Sequence, residues 1–217
     1  MNIKRFFSKF QTKIQGLPLS AVGLRGLFAA IVVVSVSGCV SVKAYVDPQY
    51  HKASYETVQR LATPLPVKVD VQFQRNGEAF PSADNELRGH VERTLRATGV
   101  FAPSPTVTTP VISVTANNFG DTGAAAAKGV GTGLTLGLAG SMVDDNYEFS
   151  CAFNDGANVQ KLTYKHIIHS TVGLHEPPAG LTPTTLADAF GKVVEDVILN
   201  FVKDLEDKGV IKVSPGI

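Results

Sequence analysis

Three histidines, His166, His169 and His175, lie close together in the stretch KHIIHSTVGLH. Imidazoles three residues apart on a helix share a face and can chelate a metal ion. This stretch is rich in β-branched residues and predicts a strand, on which positions 166 and 169 point to opposite faces. Because no cysteine or carboxylate stands at ligand spacing beside them, we predict no metal site and no cofactor.

Motifs for covalent or acid–base catalysis are not evident in the chain. Ser141, in LAGSMVD, lacks the second glycine of the G-x-S-x-G turn that exposes a nucleophile. Asp144 and Asp145 are adjacent, so on a strand they face different ways and do not form a carboxylate pair of defined separation. We therefore predict a protein that is not an enzyme and has no catalytic residues. An enzyme whose groups converge without a motif remains an alternative.

The glycine-rich stretch AAAAKGVGTGLTLGLAGSMV, residues 124–143, resembles a nucleotide loop only superficially. Positions 134 and 136 are leucines, which breaks the dinucleotide fingerprint G-x-G-x-x-G. The Walker pattern needs its lysine after the glycines, whereas Lys128 precedes them. We predict no nucleotide binding.

Two interpretations of this stretch remain. On a helix, Gly129, Gly133 and Gly137 would form a flat ridge for close contact inside a membrane. On a strand, large side chains would occupy one face and small ones the other, the large ones being Leu134, Leu136 and Leu138. A lone strand in lipid leaves backbone groups unsatisfied, so membrane contact would require oligomerisation or a partner. These six residues are candidate membrane or partner contacts, and packing within the protein's own fold is the alternative.

Charge is distributed unevenly along the 217 residues. Residues 1–38 contain five basic residues and no acidic one, so the remaining body has 15 basic and 19 acidic residues and a net charge of −4. A body without a basic surplus does not neutralise phosphates, and we predict no nucleic-acid binding. The overall composition, 44% hydrophobic and 18% charged, is typical of a globular chain.

The first 38 residues have the layout of a secretory signal peptide. A basic stretch ends at Arg25, an apolar run GLFAAIVVVSV covers residues 26–36, and the small residues Ser37 and Gly38 precede Cys39. A spanning helix needs about 20 apolar residues, so this run is too short to cross a bilayer comfortably. The segment is predicted to direct export and then to be removed.

The tetrapeptide Val36-Ser37-Gly38-Cys39 resembles the lipobox of bacterial lipoproteins, with Val36 where leucine is commonest. The resemblance implies that Cys39 receives a diacylglycerol thioether, that the chain is cut just before it, and that the new amino group is acylated. Several acyl chains give a stable anchor, at about 0.8 kcal/mol per buried CH₂. Val40, rather than aspartate, implies an outer-membrane location with the body facing the periplasm.

After the signal peptide, residues 1–38, we predict a lipidated tether over 39–66 and an α+β domain over 67–217. Alternating apolar residues predict strands at 67–73 and 111–117 and a hairpin over 146–172 that turns at Asp155-Gly156. Apolar residues at helical spacing predict helices over 84–99 and 186–209. A single sheet of about four strands, with the two amphipathic helices on one face, would bury the apolar faces of both helices.

This order of elements is similar to that of small accessory lipoproteins of outer-membrane assembly or transport. The similarity implies an outer-membrane-anchored, periplasm-facing protein that catalyses no reaction and binds a protein partner or a second copy of itself. A membrane-active oligomer that inserts residues 129–143, and a periplasmic enzyme, remain alternatives. If Cys39 carries lipid, Cys151 is the remaining thiol, and we expect it to be buried rather than paired.

Overall fold

A computed structural model describes residues 42–119, 141–172 and 179–211. Over these residues the fold is α+β. Its strands and helices are β1 (Val42–Val46), β2 (Leu65–Arg75), β3 (Glu78–Ala79), α1 (Asp84–Thr98), β4 (Phe101–Pro103), β5 (Val111–Phe119), β6 (Ser141–Asn154), β7 (Val159–Val172) and α2 (Leu186–Asp207). The strand order is β1-β7-β6-β5-β2-β3, with β4 beside the start of β2.

Over the described residues the sheet has seven strands, so the predicted sheet of about four strands is wrong, although the α+β class holds. The three additional strands, β1, β3 and β4, have five, two and three residues. Strands this short contain too few alternating apolar and polar residues to be recognised in the sequence. They form because they pair with segments that are distant in the chain. β1 lies within the segment interpreted as a tether and pairs with β7 from Val42↔Val172 to Val46↔Ile168.

The sheet is mixed. β2 and β5 run parallel with Val69 opposite Ile112, and α1 lies between them in the chain, as parallel strands require a crossover connection. β5, β6, β7 and β1 are antiparallel neighbours. The predicted hairpin is present, and its turn is stabilised by the Asp155 carboxylate, which accepts the backbone N–H of Ala157 at 2.8 Å and of Asn158 at 2.7 Å.

Helix termini explain where the two helices begin and end. α1 ends at Gly99, whose φ of 70° suits a residue without a side chain. α2 begins after Thr185, whose hydroxyl accepts the backbone N–H of Asp188 at 3.1 Å. The side chain of Asp84, the first residue of α1, accepts the backbone N–H of Phe73 at 2.6 Å. One acidic side chain thus covers part of the outer edge of β2.

Both helices cover the same face of the sheet, where the core lies. Fully buried side chains of the strands meet those of the helices, among them Phe101, Ile112, Phe149, Ile168, Leu87, Leu95, Ile198 and Phe201. The opposite face is largely polar over β2, β5 and β6, where Gln72, Thr115 and Ser150 are exposed or half-buried. Within the described ranges, no helix is both long and apolar enough to cross a membrane.

Candidate functional site

Several residues singled out in the sequence lie outside the described residues. They are the lipobox Val36, Ser37, Gly38 and Cys39, the candidate contacts Gly129, Gly133, Gly137, Leu134, Leu136 and Leu138, and the third histidine, His175. The predictions for them stay predictions.

The structure places His166 and His169 on opposite faces of β7. His166 is buried on the helix-covered face, where its Nε2 lies 3.4 Å from Asp196 Oδ2. His169 lies on the other face, with Nδ1 2.8 Å from Asp144 Oδ1 and Nε2 3.8 Å from Asp47 Oδ2. Across residues 42–119, 141–172 and 179–211, no group of three or more histidine, cysteine or acidic side chains is arranged to hold a metal ion.

Asp196 is the centre of a buried polar cluster between α2, β7 and the segment after β1. Its Oδ1 lies 2.6 Å from His51 Nδ1 and 3.6 Å from Lys192 Nζ. The ring of Tyr50 lies 4.8 Å from the His166 ring, centroid to centroid, and covers it. The backbone N–H of Ile167 donates to His166 Nδ1 at 2.9 Å, so the proton of a neutral His166 is on Nε2, facing Asp196.

The environment of Asp196 lowers the pKa of its carboxyl below the usual value. Burial alone would raise this pKa, but hydrogen bonds from His166 and His51 and the charge of Lys192 outweigh burial. Asp196 therefore stays ionised and holds three separate segments of the chain together.

Asn200, one helical turn after Asp196, attaches the same segment to α2. Its Oδ1 accepts the backbone N–H groups of Lys52, at 3.1 Å, and Ala53, at 2.9 Å, and its Nδ2 donates to the Tyr50 carbonyl at 2.8 Å. Asp196 and Asn200, two polar residues four apart on the otherwise apolar face of α2, were the sequence signal for this cluster, which the sequence patterns did not predict. The cluster has a structural role, because every described contact it makes joins parts of the fold.

A different feature, an apolar cavity of about 440 Å³, lies where β2, β6 and the first turns of both helices meet. Its apolar walls are Phe73, Phe80, Ala83, Tyr147, Leu186, Ala187 and Phe190. The Phe190 ring lies 5.8 Å from Phe73 and 5.7 Å from Tyr147, between ring centroids. Phe80 is 39% and Leu186 48% exposed, so two large apolar side chains remain open to solvent at the mouth.

Charged side chains surround the mouth of the apolar cavity. Arg75 lies over the Phe80 ring with its Cζ 4.8 Å from the centroid, and Glu86 lines the cavity from α1. Burial, together with the nearby charge of Asp144, raises the pKa of Asp145, although Asn118 and Arg75 act in the opposite direction. Burial also raises the pKa of Tyr147, so its phenol stays protonated. The result is an apolar floor with a rim that carries both signs of charge.

No pattern in the sequence predicted the apolar cavity. Leu186 is the first apolar residue of the predicted helix over 186–209, but it is half exposed and lines the cavity rather than the core. In the sequence, the only local indication of this cavity was Phe80, a single aromatic residue between two turns. The residues converge through the pairing of β2 with β5 and of β5 with β6, which no local pattern reveals.

Cys151 is a free thiol buried in the core of β6. Burial raises the pKa of this thiol far above its ordinary value. A buried, protonated thiol is unreactive, so Cys151 behaves as a small apolar side chain.

Comparison with known proteins gives only distant similarities. No family model matches the chain, and no curated protein matches it. Among solved structures, it is similar to a dodecameric variant of PelC from Paraburkholderia phytofirmans, with 14% identity over 76% of this chain and 97% of that one, at a TM-score of 0.35. A neuraminyllactose-binding hemagglutinin homolog from Helicobacter pylori gives 11% identity over 74% and 95%, at 0.38. At these TM-scores the neighbours supply no argument about function.

Proposed function

We propose that this chain is an outer-membrane-anchored lipoprotein that faces the periplasm and binds a protein partner without catalysing a reaction. The lipobox-like tetrapeptide ending at Cys39 supports the anchor. The observation that carries the proposal is that Val42, three residues after Cys39 in the chain, is already paired within the sheet, opposite Val172. Lipid on Cys39 would therefore attach almost directly to a strand of the folded body.

The anchor is tested by replacing each of the two cysteines separately. In cells that process the signal peptide, we expect Cys39→Ala to abolish incorporation of radiolabelled palmitate. We also expect this substitution to release the protein from the washed membranes of those cells. Cys151→Ala is the matched control and should retain the label, because Cys151 is buried in the core. Labelling that persists in Cys39→Ala would overturn the proposed anchor.

The apolar cavity supports the partner-binding part of the proposal. An apolar centre within a polar rim is the arrangement found at protein–protein interfaces, where large apolar side chains of one protein fill pockets of the other. Phe80 and Leu186 offer such a centre, and Arg75 and Glu86 offer opposite charges beside it. We propose that the occupant is a large apolar side chain of a protein partner.

In-cell photocrosslinking tests this contact. A photoreactive phenylalanine at Phe80 is expected to give one discrete adduct with a protein of the envelope, and the same residue at Lys161, exposed on the polar face, is expected to give none. Leu186→Asp should abolish the adduct because it places a charge in the mouth of the cavity, whereas Leu186→Met should keep it. A similar adduct from Lys161, or one insensitive to Leu186→Asp, would refute this contact.

A further inference from the structure

His90 of α1 lies directly behind the wall of the apolar cavity. Its ring meets the ring of Phe190, a cavity residue, edge to face, with 5.8 Å between the centroids and an angle of 86° between the planes. Its Nε2 lies 4.0 Å from Oε1 of Glu86, the acidic residue of the rim. One imidazole is therefore next to both the apolar wall and the charged rim of the cavity.

The packing of α1 against α2 fixes the position of the His90 ring. Gly191 of α2 faces this ring, and a Cβ at Gly191 would come within 2.7 Å of its Cε1, so a larger residue would displace the imidazole. Arg93 Nη2 donates to His90 Nδ1 at 2.6 Å, so a neutral His90 carries its proton on Nε2, which faces Glu86. The neighbours of His90 thus determine both where its ring lies and which nitrogen is protonated.

Two charged groups of α1 act on His90 in opposite directions. Burial, followed by the charge of Arg93, lowers the pKa of His90, whereas the charge of Glu86 raises it. The two residues of α2 that the ring faces do not titrate. In the segment after β1, Tyr55 interacts electrostatically with Arg93, and burial raises the pKa of Tyr55 to about 12, so its phenol stays neutral. His90 is therefore neutral at pH 7 and becomes protonated only below its ordinary pKa of 6.5.

We infer that His90 makes partner binding at the apolar cavity depend on pH, with the neutral imidazole as the binding state. This inference rests on the proposed function, in which Glu86 offers its negative charge to the partner. Protonation of His90 ends the hydrogen bond from Arg93, because Nδ1 no longer accepts. It also places an imidazolium 4.0 Å from the Glu86 carboxylate, one helical turn away, and this pair neutralises the negative charge at the rim. Partner binding is strongest above pH 6.5 and declines as pH falls through the folded-state pKa of His90.

The photocrosslink from Phe80, measured as a function of pH, tests this dependence. Envelopes of cells that carry the photoreactive residue at Phe80 are washed, resuspended at pH values from 7.5 to 5.0 and irradiated, and the adduct is quantified. We expect its yield to fall about two- to five-fold over this range, the size of the effect of one partly exposed ion pair. His90→Gln and Glu86→Gln should each remove this decline. His169→Gln, which replaces a histidine on the opposite face of the sheet, is the matched control and should retain it.

Nuclear magnetic resonance of the purified protein in detergent follows the imidazole without a partner. The His90 ring resonances, assigned by their loss in His90→Gln, should titrate with a midpoint below pH 6.5, and the Phe190 ring resonances should shift with the same midpoint. Glu86→Gln should lower this midpoint, because the negative charge of Glu86 raises the pKa of His90.

The possible results separate this inference from the proposed function. An adduct whose yield is independent of pH, or falls equally in His90→Gln, overturns the inference and leaves the contact at the apolar cavity intact. A His90 midpoint that Glu86→Gln does not change also overturns the inference, because the two side chains are then not coupled. Absence of an adduct at every pH overturns the proposed contact itself.

Discussion

Asp196→Ala is expected to lower the free energy of unfolding by about 2–4 kcal/mol at neutral pH. The substitution removes the acceptor of His51 and leaves the Nε2–H of His166, which is fully buried, without its partner. It also removes one of the contacts between the segment after β1 and α2, which Asn200 continues to bind through the backbone of Lys52 and Ala53. Urea denaturation of the lipidated protein in mild detergent, followed by circular dichroism, measures the change.

Asp207→Ala is the matched control for this substitution. Asp207 lies on the same helix and pairs with Lys203, but its side chain is 60% exposed, so its removal should cost less than about 1 kcal/mol. Equal losses from the two alanine variants would show that the buried cluster adds nothing beyond an ordinary surface ion pair.

The same carboxylate makes stability depend on pH in a defined direction. The folded protein holds the pKa of Asp196 below its ordinary value of 3.8, so the folded state binds this proton less readily than the unfolded chain does. The stabilisation is complete above the unfolded-state pKa and is lost as pH falls through the folded-state pKa. We expect the stability difference between the protein and Asp196→Asn to shrink as pH falls below about 4. Parallel profiles down to pH 2.5 would contradict this account.

Phe149→Ala is expected to lower the free energy of unfolding by about 3–5 kcal/mol. Phe149 is fully buried at the centre of β6, opposite Ala116 of β5 and Tyr164 of β7, and its ring stacks on Tyr147 at 6.2 Å. Its removal leaves a void between the sheet and the helices that the packed neighbours do not fill. The urea midpoint should fall while the slope of the transition stays unchanged.

Val159→Ala tests whether the loss at Phe149 comes from the core. Val159 starts β7 but is 64% exposed, so its truncation should change the free energy of unfolding by less than about 0.5 kcal/mol. A loss below about 1 kcal/mol for Phe149→Ala would show that β6 contributes little to the core.

Local patterns in the sequence were sufficient for the long elements. The apolar stripe of α2, the alternation along β6 and β7, and the turn at Asp155 each involve neighbouring residues, so chain periodicity predicts them. The three short strands are different. β4 exists because Leu65 and Phe101 are brought together in register, and β1 exists because Val172 is available beside Val42. No pattern within three or five residues encodes such pairings.

The amino-acid sequence by itself determined the α+β class, both helices, the hairpin and the prediction of a lipid anchor at Cys39, because each depends on residues that are close along the chain. Only the tertiary structure decided which polar residues meet. His51 and Asp196 are 145 positions apart, and pairing of β7 with β1 and packing of α2 on both bring them within 2.6 Å. The apolar cavity likewise forms where strand and helix ends converge, since its walls come from four separate segments that share no local signal.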